Sequence, residues 1–396
     1  MEEIFPASGK KNKTMHIAFL TPEYPHSRVT AAAGIGTSVQ NLVTALVGEG
    51  VQVSLFIYGQ KEDAILSENG LKIHLIASKR YSIFTWYHYR KHLQNYLNRY
   101  VQEDQIDAIE APDWTGITAF MNLDKPLIIR LHGTDAYFCH LEKRRQKWKN
   151  FIFEKLALQK ATAYIAPSAF AAKITQYIFR IKNKTIAILP SGLSLEQFHN
   201  PTPAEFQKGL LLYVGTIIRK KGVLELPLIL EKVLVKCPEA ELVIIGSDSY
   251  DLKTDSESTW LLMQNALNGQ LYSKVKHLGK VPYQQVQDYI RKANVCVFPT
   301  FAETQGMVTI ESMAMQKPVV NSNIGWAQEL IEEGVSGYLV HPKDHEKFAE
   351  RIVQLLQDDT LCLTMGQEAR AKVERDFDIK KLVQKNIAFY KEIIKE

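Results

Sequence analysis

At 396 residues the chain exceeds one comfortable hydrophobic core, so two domains are expected. With 46% hydrophobic and 23% charged residues it is an ordinary globular composition, and no run approaches the roughly 18 to 20 apolar residues that a membrane span needs. The formal charge of +5 is uneven: residues 1–200 hold 24 Lys and Arg against 17 Asp and Glu, while residues 201–396 hold 24 against 26, so the excess lies in the first half.

Residues 1–14, MEEIFPASGKKNKT, are polar and lack an apolar h-region, which predicts a disordered tail and a cytoplasmic protein. A strand over 16–21 precedes a loop with Pro22, Pro25, Gly34 and Gly36, then a helix over 37–49. That order suits a phosphate cradle, although G-x-G alone is common. Further strands are expected at 51–57, 71–76, 106–110, 126–131, 163–166 and 185–189, most of them separated by helices. Near-continuous apolar strands alternating with helices predict a doubly wound parallel sheet, whose ligands gather at the carboxyl ends of the strands. Two such ends carry polar groups, Glu110 to Asp113 and His132-Gly133-Thr134-Asp135. A histidine followed by glycine and an acid there is a candidate site residue, the plainer reading being a structural histidine. The basic stretches 79–100 and 142–150 can be solvated faces or contacts with an anionic membrane; no nucleic-acid motif accompanies them. Cys139, Cys237, Cys296 and Cys362 are scattered, which argues against a disulfide framework or a zinc site.

Residues 190–208 are turn-rich and read as an interdomain linker. A second series then begins with a strand at 210–214, a loop at 215–222 and a helix at 223–235. Strands follow at 241–245, 274–278, 295–298, 317–320 and 337–340, and helices close the chain at 344–356, 360–376 and 379–394. The loop Gly215-Thr216-Ile217-Ile218-Arg219-Lys220-Lys221-Gly222 sets cations beside a helix N-terminus, which suits a diphosphate; alone it is as readily a solvated turn. Farther on, Glu303 and Gly306 lie ahead of a helix expected over 307–315 and Glu311 lies on its second turn, with orphan backbone N–H groups between the two carboxylates. Cations for phosphate and carboxylates for hydroxyls together describe a sugar-nucleotide site.

At this point the sequence resembles the retaining glycosyltransferase family 4, also called glycosyl transferases group 1, which includes bacterial mannosyl- and glucosyltransferases and sucrose-phosphate synthases. The resemblance runs from about His16 to the end. It is carried by Glu303 and Glu311 with seven residues between them, then KPVV, GWAQELIEEGVSGYLV and HPKD, and supported by AGIG ending at Gly36, HGTD at 132–135, PSGLSLEQF at 190–198 and YVGTIIRKKG at 213–222. It implies the GT-B fold, an α/β architecture of two facing Rossmann-like sheets with a cleft between them: residues 15–200 for the acceptor, with helix 379–396 packing back on them, and residues 201–378 for the donor.

By the same resemblance, Glu311 binds the ribose of a nucleotide-diphosphate sugar and Glu303 the transferred sugar. Gly306, Met307 and Val308 offer backbone N–H groups, and Lys221 neutralises the diphosphate with help from Gly215, Thr216 and Arg219. Gly34 and Gly36 approach the donor, and His132 lies near the anomeric carbon. Glu110 and Asp135 are the acceptor-side candidates, and Glu329 matches a family acid without an assigned role. The implied reaction is transfer of a hexosyl unit with retained configuration to a hydroxyl on a glycan, lipid-linked or small-molecule acceptor, as in polysaccharide biosynthesis, with no cofactor or metal and with peripheral contact at the inner membrane surface as an open option. Alternatives are a nucleotide-sugar epimerase of the same fold or a non-catalytic sugar-nucleotide-binding protein. Two positions depart from the family: Thr216 stands where arginine is usual, and Gln305 where an aromatic residue is usual.

Overall fold

A computed structural model describes residues 14–30 and 34–395. Residues 1–13 of the expected tail and residues 31–33 of the first loop lie outside the described residues. The strands are β1 (His16–Thr21), β2 (Gln52–Gln60), β3 (Ala64–Glu68), β4 (Leu71–Ala77), β5 (Ala108–Pro112), β6 (Leu127–Arg130), β7 (Ala163–Ala166), β8 (Ile186–Ile188), β9 (Leu210–Val214), β10 (Glu241–Ile245), β11 (Val275–His277), β12 (Val295–Phe298), β13 (Val319–Ser322) and β14 (Tyr338–Val340). They form an eight-stranded sheet, β3-β4-β2-β1-β5-β6-β7-β8, and a six-stranded one, β11-β10-β9-β12-β13-β14. The two sheets give the chain its GT-B architecture.

By contacts the chain divides into two compact units: one runs to Ala111 and adds Phe120–Ile128 and the last residues from Tyr390, the other holds Pro112–Ala119 and Ile129–Phe389. In the first unit β1, β2 and β4 pair in parallel, and β1 is buried along its whole length, the signature of a central strand covered on both faces. The exception is β3, which the sequence reading omits. It pairs antiparallel with β4 through Asn69 (φ 51°) and Gly70 (φ 76°), a two-residue hairpin with both central residues left-handed. The first helix also differs from expectation. As described it spans Gly34–Gly48, so Gly34 and Gly36 lie within the helix, and the Gly36 N–H donates to Glu23 Oε1 at 2.9 Å.

In the second unit all six strands are parallel, and the order in which the chain adds them reverses between β9 and β12. Both strands lead into loops at their carboxyl ends, which is where open α/β sheets bind ligands. Its core runs from Leu210–Tyr213 through Val295–Phe298 to Val319–Val320, all buried. The segment read as a linker is docked rather than free. Leu193 and Phe198 are buried, the Leu193 N–H donates to Phe377 O at 3.1 Å, and Asn200 Nδ2 donates to Met315 O at 3.1 Å. The last helix, Ile379–Lys395, places Asn386 against Arg130 and Tyr390 against Glu110, with polar atoms 2.8 and 2.6 Å apart.

Candidate functional site

The loop after β9 folds as a 3-10 turn over Arg219–Lys221 closed by Gly222. Gly222 has φ 73° and lies so close to the loop after β12 that an added Cβ would sit 1.7 Å from Pro299 O, so only glycine fits. The contact presses the cationic turn onto the β12 loop, and Phe301 N–H donates to Lys220 O at 2.8 Å. Lys221 Nζ then reaches Glu303 Oε2 at 2.7 Å, a half-buried ion pair facing a recess shared with Thr300, Gly306, Val308 and Asn321. Gly306 (φ 90°) stands at the N-cap of helix Met307–Ala314 with no side-chain cap, leaving the first-turn N–H groups of Met307 and Val308 without one.

Glu311 is 6% exposed on that helix, and burial pushes its carboxyl up to about 7. Its Oε1 accepts from the Tyr283 hydroxyl at 2.8 Å, a partner that sequence reasoning missed because Tyr283 begins a helix of high polarity far away in the chain. The other two cations of the turn are engaged. Arg219 makes a bidentate pair with Asp251 at 2.8 Å through both nitrogens, which holds the buried Asp251 carboxyl down to about 2. Lys220 lies 3.6 Å from the centre of the Phe138 ring, and burial lowers its pKa. Thr216 is exposed beside Gly215, whose φ of 151° and proximity to Gly246 keep the loop extended.

The structure brings the run after β6 onto this loop. Helix Asp135–Leu141 is capped by Thr134, whose hydroxyl accepts from Tyr137 N–H, and the Tyr137 hydroxyl donates to Glu303 O at 2.7 Å. Ser168 Oγ donates to Thr304 O at 2.7 Å, and Gln305 exchanges two 2.9 Å hydrogen bonds with the backbone of Ser191. Residues 303, 304 and 305 are thus each fastened to a different segment. Gln305 is buried and acts as this clip, which accounts for a polar side chain at this position.

Half-buried His132 precedes Gly133, whose added Cβ would fall 3.0 Å from Thr304 Cγ2. Burial, helped by Arg130, pulls the imidazole down to about 3, so it is neutral at pH 7. Asp113, 1% exposed, accepts the N–H groups of His132 at 2.9 Å and Gly133 at 3.2 Å, and burial pushes its carboxyl up to about 7. It therefore fixes the backbone that aims His132. Its acid at a strand end was visible in the sequence; its partner was not. Glu110 is buried and accepts from Tyr390, whereas Asp135 faces a cavity and pairs with Arg144 at 2.7 Å. Glu329 accepts the Ala169 and Phe170 N–H groups, both at 2.8 Å, which caps helix Ala169–Phe179.

The family model described as Glycosyltransferase Family 4 matches residues 32–197 and that described as Glycosyl transferases group 1 matches residues 195–372. The chain is 29% identical over 259 residues to the capsular polysaccharide biosynthesis glycosyltransferase CapM of Staphylococcus aureus, covering 62% of this chain and 66% of that protein, so it spans just under two thirds of that relative's length. Among solved structures it is similar to sucrose-phosphate synthase from Thermosynechococcus elongatus, with TM-score 0.78, 20% identity, and 96% and 99% of the two chains covered. It is similar also to HepE from Anabaena in complex with UDP-glucose, with TM-score 0.71, 18% identity, and 96% and 100% covered. At these identities the structural likenesses speak for the fold.

Proposed function

The chain belongs to the glycosyltransferases of group 1 and family 4, and we propose that it transfers a hexosyl unit, with retention, from a nucleotide-diphosphate sugar to a hydroxyl acceptor. The observation that carries this reading is the Lys221–Glu303 pair at the uncapped start of helix Met307–Ala314, with Glu311 buried on the same helix. The arrangement supplies a cation and free N–H groups for a diphosphate and two carboxylates for hydroxyls. In this reading the donor's diphosphate takes over Lys221, which releases Glu303 to accept hydroxyls of the hexose, while Glu311 accepts those of the ribose. Arg219 stays with Asp251, so Lys221 is the cation of the loop left to the diphosphate. UDP-sugars are the first donors to test, since HepE is described with UDP-glucose.

The chemistry needs no metal in this scheme. As the bond to the anomeric carbon breaks, charge grows on the leaving diphosphate, where Lys221 and the helix N–H groups stabilise it. The incoming hydroxyl attacks the same face, and its proton passes to the departing phosphate oxygen. Neutral His132, with its backbone set by Asp113, donates or accepts a hydrogen bond near the anomeric carbon without introducing a charge. Residues 15–200 would serve the acceptor and 201–378 the donor, with Asp135 preferred to Glu110 on the acceptor side because it borders open space. A cytoplasmic site of action fits the donor, and no helix among the described residues is long and apolar enough to cross a membrane.

The test is thermal shift against a panel of nucleotide sugars, with Glu311→Ala as control. We expect a UDP-sugar to raise the melting temperature of the wild type and not of the variant. If no nucleotide sugar shifts the wild type, the donor site is misread.

A further inference from the structure

A second cavity, of about 590 Å³, lies apart from the recess over Lys221 and is lined by Trp114, Asp135, Arg144, Arg145, Lys147 and Asn150 among others. It is large enough for a sugar ring with its substituents and some water. Its three neighbouring acids, Asp135, Glu142 and Glu154, are all engaged, whereas two of its three cations are not. Asp135 is neutralised by Arg144 at 2.7 Å, and Arg144 is held in turn by Glu142 at 2.9 Å. Glu154, fully buried at the cavity wall, accepts the N–H groups of Asp135 and Ala136 and the side-chain amide of Gln146. Arg145 and Lys147 are exposed, and their side chains have no hydrogen-bond or ion-pair partner among the described residues. The cavity therefore presents two cations free to take a ligand.

An aromatic ring is held over the same space at a conformational cost. Trp114 is 41% exposed, and the next residue, Thr115, has φ 55° and ψ 7°. For a β-branched residue this left-handed conformation is a genuine outlier, of a kind that persists where the surroundings enforce it and clusters at functional sites. Here the enforcement is visible. Gly116 (φ 57°) lies so near helix Trp148–Lys160 that an added Cβ would sit 2.4 Å from the Phe153 carbonyl. The turn starts at Asp113, the residue that holds His132, so one segment both sets the histidine and presents the indole.

We propose that this cavity is the acceptor subsite and that it selects a sugar bearing an anionic substituent, phosphate or carboxylate, stacked on Trp114 with its anion on Arg145 and Lys147. The inference rests on the transferase reading above. The C–H face of a pyranose is apolar and suits the flat indole, while guanidinium and ammonium groups are the natural partners of either anion. A neutral sugar would gain the stacking alone.

Isothermal titration of the full chain, saturated with UDP, compares glucose, glucuronate and glucose 6-phosphate as probes. UDP affinity is measured in parallel. We expect the wild type to bind at least one anionic probe tenfold or more tighter than glucose, the stronger of the two identifying carboxylate or phosphate. In Arg145→Ala/Lys147→Ala that preference should fall to within twofold, and Trp114→Ala should weaken all three probes alike. UDP affinity should stay unchanged in both variants, and the melting temperature in Arg145→Ala/Lys147→Ala, whose altered side chains are exposed. If UDP binds but the anionic probes show no preference, or the preference survives the double substitution, the acceptor subsite is overturned alone. Failure of UDP to bind the wild type would overturn the donor reading beneath it.

Discussion

Replacing Glu311 with glutamine should make the protein more stable at alkaline pH and a worse binder of its donor. The buried carboxyl titrates at about 7 in the native state against 4.5 for an ordinary glutamate, because burial disfavours its charge. The native state thus binds more protons than the unfolded chain between these values, and stability falls as pH rises through that window. Above pH 7 the full cost is present, roughly 3 kcal/mol, and below 4.5 it vanishes. Glutamine keeps an oxygen for the Tyr283 hydroxyl and removes the ionisation. Urea unfolding followed by tryptophan fluorescence, at pH 5 and pH 8, should show Glu311→Gln gaining up to about 3 kcal/mol on the wild type at pH 8 and far less at pH 5. Titration with a UDP-sugar should show at least tenfold weaker binding at pH 8. An equal change in stability at both pH values would refute the argument that the charge is what strains the site. Unchanged donor affinity would remove Glu311 from it.

Other outcomes follow from the same geometry. Arg219→Ala leaves the buried Asp251 carboxylate held by Thr254 alone and should cost about 1–3 kcal/mol at pH 7. Because the pair holds the Asp251 carboxyl down to about 2, its stabilisation is present above pH 4 and lost as pH falls through 2, and the acid branch of the variant's stability profile should flatten accordingly. Glu329→Ala removes two N-terminal hydrogen bonds from helix Ala169–Phe179 and should lower stability by about 1–2 kcal/mol while leaving UDP affinity within twofold, as calorimetry and titration would report. His132→Ala should lose most turnover in a donor-consumption assay and keep donor affinity; unchanged turnover would exclude the imidazole from the reaction.

Strand positions were legible where apolar runs are short and bounded by turns. The ranges 163–166, 210–214, 241–245 and 295–298 coincide with β7, β9, β10 and β12, since a strand buried on both faces must be apolar throughout. The edge strand β3 was missed for the converse reason: AILSE is mostly exposed, and its Asn69-Gly70 turn, a hairpin signal in its own right, went unused. In the site, Glu303, Lys221, Gly306 and Glu311 could be picked out because loop and helix lie on one stretch or follow a strand directly. Tyr283, Asp113, Tyr137 and Asp251 could not be assigned partners, because their contacts bridge 19 to 166 positions of chain and depend on how the sheet is wound.

The fastening of residues 303 to 305 bears on how such a site can diverge. Two of its three anchors grip main-chain carbonyls, at Glu303 and Thr304, and so are indifferent to which side chains those positions carry. Substitutions there can alter what the loop recognises while its frame stays in place. At position 305 the anchor runs through the side chain itself, so a change there alters the frame. Sequence drift at 303 and 304 therefore explores specificity, whereas drift at 305 must be matched by a new way of holding Ser191.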